Sequence, residues 1–537
     1  MLIAAAQIRP KKADYPENVR RIGAVLAQVS GWKEPPGLIA FGETVTTGYY
    51  LEGGVLQCAV TAGTLYRDLA AQHALVGAKP LDVVVGFYER YENRLFNSAL
   101  HATLGGKTAG IRHVHRKIFL PTYGVFDEQR FVDPGHSVEA FDADWGRMAM
   151  LVCEDAWHSV TGTVAALGGA QLIVVPSASP ARGPVPGSGT PTSSEGWERV
   201  IRRIAEEHGA YVILAQISGT EAGKTFQGCS LIAGPDGSIL ARGPAFDEAI
   251  ITARFDERAI DRARFDQPML GDLEGALAGL LAGPDRRGNP EAQFDAASGA
   301  APKGPAPASR NITVFEQTDP LDPLAIDPEL LTEWLVRFLR DEVTERRGFA
   351  KAVVGLSGGV DSAVTAALAV RALGAKNVLG LVMPYRTSAK ASGTDAALVA
   401  KTLGIRLETV DISAAVDGLI AAADPKADPT RKGNVMARMR MIALFDRSAR
   451  DTSIPLGTGN KTERLFGYYT WHGDDAPPVN PIGDLFKTQV WALARHLGIP
   501  DTVIAKPATA DLVVGQTDEA DLGITYEKAD PILHFML

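Results

Sequence analysis

The stretch AVVGLSGGVDSAVTAALA, residues 352–369, constrains the fold more strongly than any other part of the sequence. An apolar, β-branched run meets a turn of small residues, and a pattern typical of a helix begins at Asp361. Two further strand patterns, NVLGLVMPY and LETVDIS, follow along the chain, each after a helical pattern. This βαβαβ order predicts a parallel sheet that binds ligands at the carboxyl ends of its strands.

The glycine turn itself predicts an anion site. Backbone N–H groups at Gly358 and Gly359 can converge on a phosphate at the start of the helix, and Ser357 and Ser362 add hydroxyl donors. The lysine of a Walker loop is missing, and Asp361 stands near the expected anion. A carboxylate suits a Mg²⁺ ion bound to the same phosphates, whereas the alternative is a helix cap after a glycine turn.

At this turn the sequence resembles the N-type ATP pyrophosphatases, through the residues GLSGGVDS. Members of that family split ATP between its α and β phosphates, adenylate a carboxylate, and let a nitrogen nucleophile displace AMP. Because pyrophosphate leaves, the resemblance also accounts for the missing lysine. Four later stretches are similar to NAD synthetases: GNVMARMRM, PLGTGNKTERLFGYYTWHGD, NPIGDLFKTQVWALARHLGIP and AKPATADLVVGQTDEADLG.

This similarity implies a Rossmann-like parallel-sheet domain of the ATP pyrophosphatase type. The residues that it implies for ATP binding are Gly355, Leu356, Ser357, Gly358, Gly359, Val360, Asp361, Ser362, Thr458, Lys487 and Thr509. It further implies deamido-NAD binding by Asn434, Arg438 and Glu463, and Mg²⁺ binding by Asp361 and Glu463. Taken one at a time, Arg438, Glu463 and Lys487 are also compatible with solvated helix surfaces.

The first half of the chain alternates short apolar runs with helical patterns, as in an α/β domain. Three reactive side chains stand near strand ends: Glu43 in AFGETVTTGYY, Lys117 in HRKIFLPTYGVFDEQRF and Cys153 in MLVCEDAWH. Together they can open an amide, because Cys153 attacks the carbonyl, Glu43 moves the proton and Lys117 stabilises the oxyanion. Singly, a strand-end cysteine is more often a buried apolar residue, and Glu43 and Lys117 are compatible with surface charges.

The same three segments, in the order Glu, Lys, Cys, resemble the nitrilase superfamily over about residues 2–265. The resemblance implies an αββα sandwich, glutamine binding by Tyr123 and Ser179, and a role for Glu128 in orienting the catalytic groups. The stretch ARGPVPGSGTPTSSEGW lacks the histidine and lysine of relatives, so the last glutamine contact is not assigned. We interpret the remaining cysteines and the alternating His113 and His115 as structural.

Composition separates two domains. Residues 1–270 form the predicted glutaminase domain, 271–311 a linker rich in Gly, Ala and Pro, and 312–537 the predicted synthetase domain. Asp327 and Pro328 predict the start of a helix, as an N-cap followed by proline at the first helical position.

Several classes of protein are disfavoured. A net charge of −9 argues against a nucleic-acid-binding protein, and no apolar run approaches the ~20 residues of a membrane span. The N-terminal MLIAAAQIRPKK lacks the features of a secretory signal, and three cysteines give no disulfide framework. We therefore expect a cytoplasmic protein that binds small molecules.

The two resemblances together predict one reaction. Glutamine is hydrolysed in the first domain, ammonia passes through a tunnel, and in the second domain it attacks the adenylated nicotinate of deamido-NAD. The expected products are NAD⁺, AMP, pyrophosphate and glutamate, with Mg²⁺ as cofactor and ATP and glutamine as co-substrates. The alternatives are an ammonia-only NAD synthetase with an inactive N-terminal domain, another adenylating amidotransferase, and a carbon–nitrogen hydrolase regulated by nucleotide.

The similarity to NAD synthetases also implies a homo-oligomer, because relatives build the synthetase site across a dimer interface. Many relatives continue with a basic tail that reaches the substrate, and DPILHFML at the end of the sequence is not followed by one. We expect this contact to come from another subunit or from a longer chain.

Overall fold

The computed structural model describes residues 1–77, 79–184, 189–282, 324–388, 390–509 and 517–537. These residues form an α/β unit on each side of residues 283–323. The strands of the first unit are β1 (Leu2–Gln7), β2 (Leu38–Phe41), β3 (Leu81–Tyr91), β4 (Arg94–Leu104), β5 (Gly110–Arg116), β6 (Ala140–Ala143), β7 (Gly146–Met150), β8 (Leu172–Ser177), β9 (Tyr211–Gln216), β10 (Ser218–Glu221), β11 (Lys224–Gln227), β12 (Leu231–Ala233), β13 (Ile239–Arg242) and β14 (Ala249–Arg254). Its helices are α1 (Tyr15–Ser30), α2 (Val55–Cys58), α3 (Ala62–Val76), α4 (Ser159–Leu167), α5 (Thr192–His208), α6 (Glu257–Asp266) and α7 (Met269–Ala282).

Two six-stranded sheets organise this first unit, in the orders β14-β1-β2-β3-β4-β5 and β13-β12-β9-β8-β7-β6. Parallel pairs lie in the middle of each sheet and antiparallel pairs at the edges. Strands β10 and β11 form a separate antiparallel hairpin. Parallel central strands bring the ends of β2 and β8, and the residues after them, to corresponding edges of their sheets.

The two sheets stack into a sandwich covered by helices. Along β1, Ile3 and Ala5 pack in a core that includes strands of the second sheet, whereas Ala4 and Ala6 pack with Ile22 of α1. This alternation follows from the two-residue period of a strand that is buried on both faces. The structure confirms the predicted αββα arrangement.

The second unit has a four-stranded sheet in the order β17-β16-β15-β18, parallel throughout. Its strands are β15 (Ala352–Gly355), β16 (Val378–Val382), β17 (Arg406–Thr409) and β18 (Ile454–Leu456). Its helices are α8 (Pro328–Arg340), α9 (Val360–Leu373), α10 (Lys390–Leu403), α11 (Ser413–Ala423), α12 (Pro429–Asp451), α13 (Lys461–Phe466), α14 (Lys487–Leu497), α15 (Asp501–Ile504), α16 (Asp518–Leu522) and α17 (Tyr526–Met536). The predicted parallel sheet is confirmed.

Helix α8 begins where the sequence predicted. The Asp327 carboxylate accepts hydrogen bonds from the backbone N–H groups of Glu329 and Leu330, both at 3.0 Å, and Pro328 is the first helical residue. These bonds satisfy two of the N–H groups that the start of a helix leaves unpaired.

Helix α7 extends into the stretch that was predicted to be a linker. We expected irregular chain from residue 271, but α7 continues through Ala282. The sequence of α7, MLGDLEGALAGLLA, is rich in leucine and alanine, whose helix propensity outweighs that of its three glycines. Residues 283–311 of the predicted linker lie outside the described part of the chain.

The two units are in contact through polar side chains. The Asp341 carboxylate of the second unit accepts hydrogen bonds from Arg9 at 2.7 Å and from Thr220 at 3.0 Å. Arg337 donates to Asp247 of the first unit at 2.9 Å. None of the described helices is long and apolar enough to cross a membrane.

Candidate active sites

The structure brings the three reactive residues of the first half together. Glu43 follows β2, Lys117 follows β5, and Cys153 begins a short 3₁₀ turn after β7. The Lys117 ammonium donates to Glu43 Oε1 at 2.7 Å, and all three residues are buried. Because these residues lie far apart in sequence, only the stacked sheets place them side by side.

Glu43 is held from several sides. Its Oε1 accepts a second hydrogen bond from Asn97 Nδ2 at 2.7 Å, and its Oε2 accepts one from the Ala178 backbone N–H at 2.8 Å. Strand β3 passes so closely that a Cβ on Gly86 would lie 2.6 Å from Glu43 Cα. A glycine at this position lets the neighbouring backbone approach the carboxylate. Asn97 was not predicted, because nothing in its local sequence indicates this contact.

Glu128 completes the network around Lys117. Its Oε1 accepts from Lys117 Nζ at 2.6 Å and from the Tyr49 hydroxyl. Burial and the charge of Glu43 raise the pKa of Glu128 to about 7, although Lys117 opposes the shift. Burial disfavours the charge of Lys117, but the carboxylates of Glu128 and Glu43 outweigh it and raise its pKa.

Cys153 occupies a strained turn. Its φ of 48° lies in the left-handed region, which non-glycine residues rarely adopt and which often marks functional sites. The Ser177 hydroxyl donates to its sulfur at 3.4 Å. Burial, and then the charge of Glu43, raise the pKa of Cys153 well above its usual range. The resting side chain is therefore a thiol, and it needs a base before it can act as a nucleophile.

One carboxylate ties the Cys153 turn to the segment after Lys117. Asp155 Oδ1 accepts from the backbone N–H groups of Ile118 and Phe119 at 2.9 and 3.0 Å. Its Oδ2 accepts from Val152 N–H at 3.0 Å and is 2.8 Å from His115 Nε2. Asp155 thereby fixes the distance between nucleophile and lysine, and it gives His115 a structural contact.

The two predicted glutamine ligands lie at the edge of this site. The Tyr123 hydroxyl donates to both carboxylate oxygens of Glu154, at 2.8 and 2.9 Å. The Ser179 backbone N–H donates to Gln216 Oε1 at 3.2 Å. A cavity of about 520 Å³ opens beside Glu128, and neither Tyr123 nor Ser179 lines it.

In the second half, the glycine turn connects β15 to α9 as predicted. Gly358 has a φ of 77°, and a Cβ there would lie 2.4 Å from the carbonyl oxygen of Ser392. The hydroxyls of Ser357 and Ser362 are 3.2 Å apart, and Ser357 Oγ accepts from the Gly359 N–H at 3.2 Å. The turn is thus fixed by glycine conformation and by serine hydroxyls.

A cavity of about 770 Å³ opens at this turn. The predicted residues that line it are Gly355, Leu356, Ser357, Gly359, Val360, Asp361, Ser362, Thr458, Glu463, Lys487 and Thr509. Gly358, Asn434 and Arg438 are the predicted residues outside its lining. A concave site of this size next to an N–H-rich turn suits a nucleotide.

Lys487 is buried between two carboxylates of this cavity. Its ammonium lies 2.5 Å from Asp361 Oδ2 and 3.5 Å from Glu463 Oε1. Asn460 Nδ2 donates to both acids, at 3.1 Å to Asp361 and 2.6 Å to Glu463. Burial and the charge of Asp361 raise the pKa of Glu463 to about 8. Burial opposes the charge of Lys487, but the two acids raise its pKa.

These two acids fit a magnesium site of the kind that phosphates complete. Magnesium binds through one or two carboxylates together with substrate phosphates, and Asp361 and Glu463 both line the cavity at the glycine turn. Among the described residues, no group of three or more His, Cys, Asp and Glu side chains is arranged to hold a metal. Burial, and then the negative charge of Asp361, raise the pKa of Glu463, and a cation bound here would favour the charged carboxylate.

Asn434 and Arg438 lie on α12, next to the cavity rather than in its wall. Thr470 Oγ1 donates to Asn434 Oδ1 at 3.3 Å, and Arg438 Nε donates to the carbonyl oxygen of Trp471 at 3.1 Å. Their helix neighbour Arg440 does line the cavity. Both predicted ligands thus contact the segment after α13. Each lies within one helical turn of Ala437, which lines the cavity.

Sequence reasoning missed a second lysine in this cavity. Lys506 Nζ donates to Asp395 Oδ2 at 2.9 Å and to Ser392 Oγ at 3.2 Å, next to the glycine turn. The lysine stands in the stretch AKPATADL, which is similar to NAD synthetases, so a signal for it is present in the sequence.

Comparisons with known proteins agree with this arrangement. The family model for NAD synthase matches residues 331–537, and the model for carbon-nitrogen hydrolase matches residues 2–265. Curated relatives include the NH(3)-dependent NAD(+) synthetases of Chlorobaculum parvum and Chlorobaculum tepidum, which are 52% and 54% identical over 214 residues. Each of these matches covers 40% of this chain and 76% of the relative.

Solved structures resemble the whole chain. The glutamine-dependent NAD+ synthetase from Acinetobacter baumannii, in complex with ADP, is 25% identical with a TM-score of 0.72, over 100% of this chain and 92% of that one. The glutamine-dependent NAD(+) synthetase from Cytophaga hutchinsonii is 17% identical with a TM-score of 0.68, over 96% and 84%. The second likeness concerns the fold alone.

Proposed function

This chain belongs to the NAD synthase family, with a carbon-nitrogen hydrolase domain ahead of the synthase domain, and from that premise we propose its full reaction. The family makes NAD⁺ from deamido-NAD with ATP. We propose that this enzyme takes the ammonia from glutamine, forms an adenylated intermediate, and releases AMP, pyrophosphate and glutamate. We assign hydrolysis to residues 1–270 and synthesis to residues 312–537.

The observation that carries the proposal is the buried network of Lys117 with Glu43 and Glu128 beside Cys153. Burying three charged groups costs free energy, and a domain that served only as a scaffold gains nothing from them. Their types and positions suit the opening of an amide. A ligase with such a site in the same chain has its own source of ammonia.

In the hydrolase domain, we assign Cys153 as the nucleophile that attacks the amide carbon of glutamine. Glu43 takes the thiol proton, passes it to the leaving ammonia, and then activates the water that cleaves the thioester. Lys117 stabilises the oxyanion, and Glu128 holds Lys117 in place. Tyr123 and Ser179 are our candidates for binding glutamine.

In the synthase domain, the turn from Gly355 to Ser362, with Thr458, Lys487 and Thr509, is our candidate ATP site. The nicotinate carboxylate of deamido-NAD attacks the α phosphate, and ammonia then attacks the acyl-adenylate. Lys487 offsets the negative charge that gathers there. Asp361 and Glu463 would hold Mg²⁺, which supplies charge neutralisation to the phosphates when bound. Asn434, Arg438 and Glu463 are our candidates for binding deamido-NAD.

Two further properties belong to the same proposal. Because ammonia is protonated at neutral pH and ammonium is not a nucleophile, we propose that it travels between the domains inside the protein. We also propose a cytoplasmic homo-oligomer, on the similarity to NAD synthetases.

An ammonia-only enzyme is the second candidate, because the curated relatives are NH(3)-dependent and match 40% of this chain. The variant Cys153→Ala separates the two, with Cys58→Ala, a half-buried cysteine outside the site, as its control. We expect C153A to lose glutamine-driven NAD⁺ synthesis by about a hundredfold or more and to keep ammonia-driven synthesis. Equal loss of both activities, or of neither, refutes this division of labour.

Glutamine labelled on its amide nitrogen tests the whole sequence of steps. Label in the nicotinamide of the product, with AMP and pyrophosphate as the other products of ATP, establishes hydrolysis, transfer and adenylation together. Unlabelled NAD⁺, or ADP in place of AMP, contradicts the proposal.

A further inference from the structure

The hairpin of β10 and β11 holds a buried carboxylate that the reaction above does not use. Glu221, at the end of β10, is 4% exposed. Its Oε2 accepts hydrogen bonds from the backbone N–H groups of Tyr49 and Tyr50, at 2.8 and 3.1 Å. Within the described residues, its Oε1 is buried and has no hydrogen-bond partner. Because burial disfavours the charged form of an acid, a glutamate buried at this position costs free energy that a functional role would justify.

The residues that Glu221 holds belong to the loop of the general base. That loop follows β2, carries Glu43 at its start and reaches Tyr49 six residues later. The Tyr49 hydroxyl donates to Glu128, and the Lys117 ammonium lies 6.0 Å from the centre of the Tyr49 ring. One loop thus supplies the general base at one end and the support of Glu128 at the other.

The two ends of this loop are anchored separately. Contacts from Ala178 and Asn97 fix Glu43. The end at Tyr49 is held by Glu221 and by the Tyr88 hydroxyl, which donates to the Tyr49 carbonyl oxygen at 2.8 Å. Gly48 has a φ of 80°, and a Cβ there would lie 2.6 Å from Glu221 Oε1. The chain therefore leaves room for the carboxylate to reach the two N–H groups.

The hairpin itself is held on both sides. Phe226 of β11 packs against Tyr49 and Tyr50, with ring centres 6.2 and 5.8 Å apart. On the other side, Thr220 of β10 donates to Asp341 of the synthase half at 3.0 Å. Glu221 thus stands on a fixed element between the catalytic loop and the second domain.

We propose that Glu221 is a positioning residue of the glutaminase site, which holds the loop from Thr44 to Tyr50 so that Glu43 and Glu128 stay aligned on Lys117. The proposal rests on the function proposed above. Burial raises the pKa of Glu221 to about 7, although hydrogen bonds from the two tyrosine N–H groups oppose the shift. A neutral acid still accepts those bonds through its carbonyl oxygen, and a glutamine has the same acceptor.

Three variants test the proposal. Glu221→Leu removes the acceptor, Glu221→Gln keeps it, and Glu206→Leu makes the same change at an exposed site on α5. We expect E221L to lower kcat for glutamine hydrolysis by about a hundredfold with a much smaller change in KM, because a misplaced base acts on the transition state. E221Q and E206L keep most of the activity, and all three keep ammonia-driven synthesis.

Hydrogen exchange gives a second readout, in which E221L but not E221Q speeds exchange in peptides covering residues 44–50. If E221L does not fold, Glu221→Asp, whose carboxylate is one methylene shorter, takes its place. Wild-type glutamine hydrolysis in E221L, equal damage in E221Q, or an equal loss of ammonia-driven synthesis overturns the proposal. A wild-type protein that cannot use glutamine at all overturns the proposed function instead.

Discussion

Both sites use a buried lysine that two carboxylates share. Lys117 lies between Glu43 and Glu128, and Lys487 lies between Asp361 and Glu463. A buried ammonium stays charged only when its desolvation is offset by such partners, and the partners in turn depend on it. Removing either lysine therefore leaves two acids that repel each other in a site of low polarity.

The variant Lys487→Met tests this at the synthase site, with Lys461→Met as its control. Lys461 pairs with the exposed Asp484 and lies outside the cavity lining. We expect K487M to reduce NAD⁺ synthesis from either nitrogen source by about a hundredfold or more, since it removes a cation from the reacting phosphates. The same variant should still hydrolyse glutamine, because Lys487 lies in the synthase cavity and not in the glutaminase site. Synthesis at the wild-type rate in K487M contradicts the assigned role.

Glu221 also makes a prediction about stability and pH. Its pKa rises from 4.5 to about 7 in the folded chain, so between these pH values the folded state binds a proton that the unfolded state has lost. Stability contributed by this group therefore falls as pH rises through that window, by an upper limit of about 3 kcal/mol. In denaturant unfolding, Glu221→Gln should gain stability over the wild type between pH 5 and about 7.5. The prediction is contradicted if the difference in unfolding free energy between Glu221→Gln and the wild type is the same at both pH values.

At the scale of elements, the turn between β15 and α9 depends on its contact with α10. Gly358 approaches the carbonyl oxygen of Ser392 in the first turn of α10, and Lys506 binds Ser392 and Asp395 of the same helix. The shape of the nucleotide cavity is therefore set by packing of α10 against the turn, as well as by the turn itself.

Gly358→Ala and Gly348→Ala separate conformational strain from this contact. Both glycines have positive φ, 77° and 71°, but a Cβ on Gly348 meets no atom within 4 Å. Each change costs about 1–2 kcal/mol of left-handed strain. We expect only G358A to raise KM for ATP, by about tenfold, because its Cβ must displace Ser392. Steady-state kinetics with ammonia as donor measure this, and equal KM values in the two variants contradict it.

At the scale of the molecule, polar and aromatic contacts join the two halves, and Phe246 packs against Trp334 with ring centres 5.9 Å apart. Asp341 accepts from Arg9 and Thr220, and Arg337 pairs with Asp247. Thr220, which donates to Asp341, is the residue before Glu221 on β10. It therefore lies on the hairpin that touches the catalytic loop. Docking of the domains and geometry of the glutaminase site are therefore connected through one element.

Asp341→Ala tests whether docking matters for transfer, with the exposed neighbour Glu345→Ala as control. The change removes the carboxylate that accepts hydrogen bonds from Arg9 and Thr220 across the contact between the domains. We expect the ratio of glutamate released to NAD⁺ formed to rise, because misaligned domains lose ammonia to water. Loss of about 0.5–2 kcal/mol of coupling between the sites sets the size of the rise. Assaying both products in one reaction measures the ratio. A wild-type ratio in D341A means that this contact does not align the domains.

The sequence alone predicted the strands β15, β16 and β17 of a parallel sheet, the glycine turn and the start of α8, and it indicated Glu43, Lys117 and Cys153 as candidate reactive residues. These features are local: alternating burial, proline and glycine chemistry, or a short run of residues shows each of them. The helix α7 was missed because glycines obscured a local pattern of leucine and alanine.

The tertiary structure decided what those residues touch. Asn97 lies 54 positions from Glu43, and Glu221 lies 172 positions from Tyr49, so no local pattern could pair them. The stacking of two sheets and the docking of a hairpin create these contacts. Burial then shifts the pKa values of Glu128, Cys153 and Glu221. A sequence specifies which groups are available, but only packing fixes their distances and removes the water between them.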